Sequence, residues 1–320
     1  MIDYETLSED HLREIVALWN KELEASFPLR TRLAQQNVVS DRRLLPSGSW
    51  AARADTGELI GFIAVKKTAE DDERFGLGRD IGWIHALLVK SEWRGRGVGG
   101  DLLRRAEEAL AAAGVRRIQL GNDLHRRLFP GVPDELAGTK GWFERRGYHY
   151  REDAYDLIKA YTGGERAGLP DTGEAIARIA APGDREALTA FMSRCFPGTW
   201  DLQHRDYWEQ GGTGREYVIL ERRGSIIGFC RINTDKSPLL AQNVYWAPLF
   251  DEELGGIGPL GIDEAERGHR YGISIVQAAI HFLRERGVGR IVIDTTPFVD
   301  FYGKLGYEVW KKYAKYEKML

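Results

Sequence analysis

Arg94-Gly95-Arg96-Gly97-Val98-Gly99-Gly100 is the stretch on which the reading of this chain turns. The apolar run Ile84 to Val89 leads into it, and Leu102, Leu103, Ala106, Ala109, Leu110 and Ala113 follow at helical spacing. A strand, a tight glycine turn and a helix are therefore expected in that order. The first amides of a helix have no intrahelical partner and point outward together, and the helix dipole adds to the anion site they form. Glycines let a ligand come up against the backbone. A pyrophosphate is the natural guest, with Arg94 or Arg96 adding charge-assisted hydrogen bonds. A dinucleotide site would place such a loop after the first strand of a parallel domain, with an acidic residue about 20 positions on. A Walker-type loop would read Gly-Lys-Ser or Gly-Lys-Thr, which is absent here.

Outward from the loop, the chain repeats itself. Gly57-Glu58-Leu59-Ile60-Gly61-Phe62 returns as Gly224-Ser225-Ile226-Ile227-Gly228-Phe229, and each follows a hydrophobic stretch, so strand, turn, strand is expected twice. Arg267-Gly268 answers Arg94-Gly95 and Gly287 answers Gly114 at the same offset of 173 residues. Ile275, Val276, Ala279, Ile280 and Leu283 give the second helix, and Gly114 and Gly287 sit where helix C-caps belong. Arg117 to Leu120 and Arg290 to Ile293 read as the next strands, and Trp142-to-Tyr148 and Phe301-to-Tyr307 as matching closing elements. The order is strand, strand, strand, helix, strand, helix, strand, twice over: a mixed α/β (α+β) architecture. The expected boundaries are a first domain over 1–161, a Gly-rich polar linker over 162–174 and a second domain over 175–320.

Bulk composition agrees. Two domains are the usual expectation for 320 residues, and 43% hydrophobic with 29% charged residues is ordinary for a soluble globular protein. A net charge of −3 argues against a nucleic-acid partner held by a broad basic field. No apolar run is long enough for a membrane span, the N-terminus carries no signal-peptide core, and a cytoplasmic location is expected. Cys195 and Cys230 have no metal or redox spacing and read as buried thiols, so no metal is expected.

Arg94-Gly95-Arg96-Gly97-Val98-Gly99 resembles the signature of the GCN5-related N-acetyltransferase superfamily: Arg or Gln, two residues, Gly, one residue, then Gly or Ala. Leu87-Leu88-Val89 looks like the strand that precedes it in the family. The resemblance occurs twice and so covers nearly the whole chain. It implies two tandem acyl-CoA N-acyltransferase folds, each a mixed, mostly antiparallel sheet flanked by helices, with acetyl-coenzyme A as co-substrate. It implies that the backbone of Leu88 and Val89 binds the acetyl carbonyl and pantetheine arm and that the amides from Arg96 to Gly100 bind pyrophosphate. The reaction implied is direct acetyl transfer to the primary amine of a small molecule. By the same likeness Ile262, Arg267, Gly268 and Gly272 are cofactor-binding candidates in the second copy.

The copies are unequal. The second loop reads Arg267-Gly268-His269-Arg270-Tyr271-Gly272, with Arg270 where the first has Gly97. Arg270 either clamps phosphate or blocks its site. Where the family often carries a tyrosine that protonates the departing thiolate, the second copy has Tyr302 and the first has Phe143. Tyr302 reads as that acid or as a packed aromatic. Either half could therefore be the working one. The amine must be neutral to attack, so a general base is needed. Asp123 and Asp294, at the ends of matching strands, are the first candidates, with Asp263 and Glu264 behind them; each also reads as a solvated turn or cap residue. His85, inside an apolar strand, reads as a core histidine or a base. The insertion Asp123 to Pro133 has no counterpart after Asp294, and Arg126, Arg127 and Phe129 within it are the substrate-contact candidates. Its Phe-Pro-Gly-Val-Pro stretch looks similar to glucosamine N-acetyltransferase domains, which makes an amino sugar the first acceptor expected. The competing reading is a noncatalytic acyl-coenzyme A-binding or sensor protein, suggested by the loss of one signature feature in each half.

Overall fold

The apolar runs and glycine turns become strands and helices where the pattern put them. The computed structural model describes residues 1–163 and 168–320, so part of the expected linker, residues 164–167, lies outside the described residues. Two units emerge: Met1–Ala154 together with Lys311–Leu320, and Tyr155–Trp310.

In the first unit, β1 (Ile2–Thr6), β2 (Trp50–Ala54), β3 (Leu59–Lys67) and β4 (Ile81–Val89) form an antiparallel run. β5 (Arg117–Leu120) lies parallel to β4. Helix α1 (Leu12–Leu23) and the short α2 (Thr31–Ala34) lie between β1 and β2, and α3 (Val98–Ala112) between β4 and β5. The two-residue β6 (Val132–Pro133) and α4 (Thr139–Glu144) follow, and then β7 (His149–Ala160). α3 buries Val98, Leu102, Leu103, Ala106 and Leu110 in a core with Ile60, Ile63, Ile84 and Ile118. Each fully buried leucine there stabilises the fold by roughly 1.5–3 kcal/mol. Gly114, at φ +83°, ends the helix in the left-handed conformation that glycine adopts without a Cβ penalty.

The second unit repeats the plan. β8 (Ile176–Ile179), β9 (Tyr217–Arg222), β10 (Ser225–Thr234) and β11 (Leu254–Ile262) are antiparallel neighbours, with β12 (Arg290–Thr296) parallel to β11. Helices α5 (Arg185–Cys195) and α6 (Thr199–Glu209) precede β9. α7 (Tyr271–Glu285) follows β11, and α8 (Val299–Gly303) precedes β13 (Glu308–Met319).

The closing strands depart from the expected boundaries of 1–161 and 175–320. The end of β7 pairs antiparallel with β12, Arg290 opposite Ala160, in the second unit. The end of β13 pairs with β5, Glu317 opposite Gln119, and with β6, Ala314 opposite Val132, in the first. Each half thus hands its last strand to the other unit. Strands β7 and β13 offer the same kind of hydrogen-bonding edge, so local pattern does not say which sheet each joins. Among the described residues no helix is long and apolar enough to cross a membrane. Both cysteines are free, Cys230 buried and Cys195 half-buried.

Candidate functional site

In the first unit β4 and β5 stay in register only from Ile81–Arg117 to Ile84–Leu120. Beyond Ile84 the strands part, and β4 keeps a ladder only with β3. A cavity of about 690 Å³ opens there. Ile84 to Val89 form one wall, and Arg94, Gly95, Gly97, Gly99 and Gly100 form one end. Trp19, Phe129, Pro133 and Trp142 also line it.

The geometry of the Arg94-to-Gly100 loop follows from its glycines. Gly95 and Gly97 have φ of +75° and +89°, and Gly97 is the residue before α3. A Cβ at either would meet nothing within 4 Å, so the backbone conformation and not crowding calls for glycine, and the loop is open above. The first α3 hydrogen bond runs from the Asp101 amide to the Gly97 carbonyl at 3.0 Å, which leaves the amides of Val98, Gly99 and Gly100 without intrahelical partners. Arg94 donates to the Val89 carbonyl (2.9 Å) and to Glu22 (2.6 Å), tying the loop to β4 and α1. Leu88, Val89, Arg94, Gly95, Gly97, Gly99 and Gly100 all line the cavity. Arg96, stacked 5.0 Å over Trp93, and Val98, buried in the core, do not.

A β-bulge shapes the other end of the same wall. Ala64 pairs with Ala86 and Val65 with Ile84, so His85 is the extra residue on β4. Bulges re-aim a side chain, and His85 lines the cavity. Its Nδ1 lies 3.2 Å from both carboxylate oxygens of Asp123. Its Nε2 is buried and has no hydrogen-bond partner among the described residues. Burial, and then Lys66, hold the imidazole below its ordinary pKa, so it is neutral near pH 7. Burial alone would raise the carboxyl of Asp123, but Lys66 and then His85 outweigh it and keep it well below the usual range.

Asp123 is thus buried behind His85 and does not itself line the cavity. The insertion it begins is folded inward. Asn122 donates to the Phe129 carbonyl (2.8 Å), and Phe129 stacks on Trp19 with centroids 5.8 Å apart. Phe129 lines the cavity; Arg126 and Arg127 do not, and the Arg126 carbonyl instead accepts from Lys66 at 3.1 Å. Glu135 also lines the cavity, held by Lys311 at 2.8 Å. Lys66 and Asp41 are the residues sequence reading missed. Lys66 ends an otherwise apolar strand, where a lysine reads as solvent-facing, and its full burial depends on partners 25 and 57 residues away.

The second unit treats the corresponding places differently. β11 and β12 part after Ile257–Ile293, at the same offset as in the first unit. The pocket at its loop is about 380 Å³, lined by Phe196, Trp200, Gly261, Ile262, Arg267, Gly268, Arg270 and Gly272 among others. The four expected cofactor residues Ile262, Arg267, Gly268 and Gly272 do meet there. Arg270 holds the left-handed φ of +61° that Gly97 holds in the first unit, which costs a non-glycine residue roughly 1–2 kcal/mol. A Cβ on Gly261, the counterpart of Leu88, would lie 2.3 Å from the Phe196 ring, so that ring rests directly on the β11 backbone. Tyr302 is packed in the core beside Tyr307, its phenol pushed far up by burial, and it does not line the pocket. Asp294 accepts from Asn243 at 2.7 Å and lies outside the pocket too. Asp263 accepts from the Ala265 amide (3.1 Å) and pairs with Arg194 (2.6 Å), as a cap residue would.

The sequence profile of the acetyltransferase (GNAT) family matches residues 12–129 and again residues 185–307. Mycothiol acetyltransferase from Catenulispora acidiphila is 25% identical over 283 residues, covering 83% of this chain and 76% of the relative. Mycothiol acetyltransferase from Nocardia farcinica is 26% identical over 320 residues, covering 92% and 95%. Among solved structures, the GCN5-related glucosamine N-acetyltransferase region of a fungal multi-domain GH3 β-N-acetylglucosaminidase is similar, with a TM-score of 0.86 and 25% identity. That likeness covers 99% of this chain but 38% of the larger one. A GCN5-related N-acetyltransferase from Sphaerobacter thermophilus shares the fold at a TM-score of 0.70 and 16% identity, covering 99% of this chain and 95% of that one.

Proposed function

The chain belongs to the acetyltransferase (GNAT) family and is an N-acetyltransferase of tandem architecture, and from that premise we propose that its first unit performs the transfer, from acetyl-coenzyme A to the primary amine of a small molecule, with an amino sugar as the first acceptor class. One observation carries the assignment to the first unit. A single cavity joins an open phosphate loop at one end to a neutral, carboxylate-held histidine in its wall.

The residues present fit coenzyme A. Three unpaired helix amides and two left-handed glycines suit pyrophosphate, and the edge of β4 from His85 to Val89 that β5 leaves uncovered suits an extended amide-bearing arm. Leu88, Val89, Arg94, Gly95, Gly97, Gly99 and Gly100 would hold it. When bound, it supplies an activated thioester carbonyl. Backbone amides at the free β4 edge can stabilise negative charge on an acyl oxygen. His85 takes the proton that the attacking amine must lose, directly or through one water, and Asp123 balances the charge that His85 gains. Phe143 lines the cavity where a tyrosine acid would stand and has no proton to give, so the thiolate leaves with the help of another group or of none.

The acceptor class is supported by the relatives' names and by the cavity itself. Trp19 and Phe129 offer apolar rings to a sugar, and Glu135, fixed by Lys311, offers a hydrogen-bond acceptor to its hydroxyls. Coenzyme A release measured over a panel of amines, glucosamine first, should show kcat/KM for amino sugars at least about tenfold above alkylamines, the discrimination that a few well-made hydroxyl contacts provide. Tight coenzyme A binding with no release for any amine would overturn the proposal in favour of a sensor.

A further inference from the structure

Behind His85 runs a buried line of alternating charges. Lys66, fully buried, has its Nζ 3.0 Å from Asp123 and 2.8 Å from Asp41. Asp41 accepts from the Arg43 amide at 3.0 Å. The Arg43 side chain is bidentate on Asp72, at 2.8 and 2.7 Å, and Arg42 reaches Asp72 from the surface at 3.1 Å. Asp41, Asp72 and Asp123 are thus matched by Arg42, Arg43 and Lys66.

Buried ion pairs rarely raise stability over apolar packing of the same volume, because desolvation offsets the attraction. The fold does not require this line. Aligning Phe62 with Phe229 puts Asn233 at the place of Lys66, and the offset that aligns the two loops puts Gly258 at His85 and Thr296 at Asp123. At those places the second unit has no cation: Asn233 donates to Asn243 (3.2 Å), Asn243 to Asp294 (2.7 Å) and Gln242 to Thr295 (2.8 Å). The second unit thus has no lysine at the place of Lys66 and no histidine at the place of His85.

We propose that Lys66, clamped between Asp41 and Asp123, is a positioning residue for the acetyl transfer: it fixes the Asp123 carboxylate so that Asp123 accepts the Nδ1 proton of His85 and the unpartnered Nε2 is left to take the proton of the acceptor amine. The proton passes from the amine nitrogen to Nε2, and the imidazolium so formed is balanced by Asp123; Lys66 itself neither gains nor loses a proton. The groups around His85 are Asp123 after β5, Lys66 on β3 and Asp41 after α2, with Glu22 and Glu135 on the same cavity. The inference rests on His85 being the base.

The test removes the inner pair together, so that Asp41 is not left buried without Lys66 and the net charge is unchanged, while Asp123 keeps its hydrogen bond to His85. In D41N/K66M, checked for folding by circular dichroism, coenzyme A affinity should stay within about twofold, while kcat falls on the order of ten- to a hundredfold through lost alignment. The acid limb of kcat/KM should move to higher pH, because Lys66 depresses His85 more than Asp41 raises it. The single variant K66R, which keeps the charge, should hold the limb in place. A folded D41N/K66M protein with the wild-type limb overturns the inference. H85Q, measured alongside, tests the reading beneath it and should lose on the order of 10²–10⁴ in kcat. If H85Q is active, His85 is not the base and both fall; if H85Q is dead and the limb is unmoved, only the role of Lys66 falls. Nitrogen-15 histidine spectra of the wild-type protein give an independent reading: His85 should carry its proton on Nδ1, and a proton on Nε2 near neutral pH would refute the arrangement.

Discussion

The two glycine loops of this chain are corresponding strand-to-helix turns, one in each unit, yet one opens on a cavity of about 690 Å³ and the other on about 380 Å³. Order of the main elements is shared, so the difference lies in the insertion from Asp123 to Pro133 and in a few side chains. Gly97 leaves the first loop open; Arg270 brings a side chain into the same backbone conformation. Leu88 borders a cavity; its counterpart Gly261 is covered by the Phe196 ring. Phe27, which occupies the matching position in the first unit, is buried edge-on to Phe129 instead. His85, Lys66 and Asp123 form a charged line; Gly258, Asn233 and Thr296 do not. A repeated fold therefore preserves the scaffold of a binding site more readily than the site, because a ring or a guanidinium can fill the space between splayed strands without disturbing the core.

The sharpest way to break this comparison is to give the first loop the second loop's residue. G97R should weaken coenzyme A binding by more than about a hundredfold and abolish acetyl transfer, because the side chain would occupy the space through which phosphate meets the backbone. Calorimetry on the unaltered chain should give one equivalent of coenzyme A; two equivalents of similar affinity, or a G97R protein that still binds, would dissolve the distinction between the units.

The buried histidines give a second contrast. His204, in the second unit, accepts from Trp208 Nε1 at 3.2 Å and is held at a pKa of about 3, chiefly by burial and then by Arg231. Its folded pKa lies below its unfolded value of about 6.5, so the unfolded chain binds the extra proton between the two. The stability His204 contributes is complete above about pH 6.5 and is lost as pH falls towards 3, at up to roughly 1.4 kcal/mol per pH unit. H204Q should flatten the fall in melting temperature between pH 6 and 4 and leave acetyl transfer near neutral pH intact. An unchanged slope in H204Q would show that this histidine does not govern the acid response.

The smallest expected effect is at Tyr302. If transfer takes place in the first unit, Y302F changes kcat by less than about twofold and costs little stability, since the ring packs in the core of the second unit and the substitution keeps it. A loss of tenfold or more in kcat would return the chemistry to the second unit.

Much of the fold was readable because its signals are local. Gly97 and Gly114 mark a loop and a cap through backbone conformations that few other residues adopt, and the spacing of Leu102, Leu103, Ala106 and Leu110 declares a buried helix face. The glycine loop before the helix was legible for the same reason. The rest of the site was not. Asp123 looked like a strand-end carboxylate free to act, and became a buried partner of His85. Arg126 and Arg127 looked like substrate contacts, and the loop bearing them turned so that Phe129, Gly131 and Pro133 face the cavity. Tyr302 matched a family position but lies in the core, away from the pocket of its own unit.

By itself the sequence determined the tandem repeat, the mixed α/β class, the acetyl-coenzyme A family and the loop that suits pyrophosphate, since each is written within a few turns of helix or one strand. Only the tertiary structure decided that the two closing strands cross to the opposite units, that Phe196 covers Gly261, and that Lys66 lies between Asp41 and Asp123. Those are pairings between residues far apart in the chain, chosen by which edges, volumes and charges the folded units bring together, and no local pattern encodes that choice.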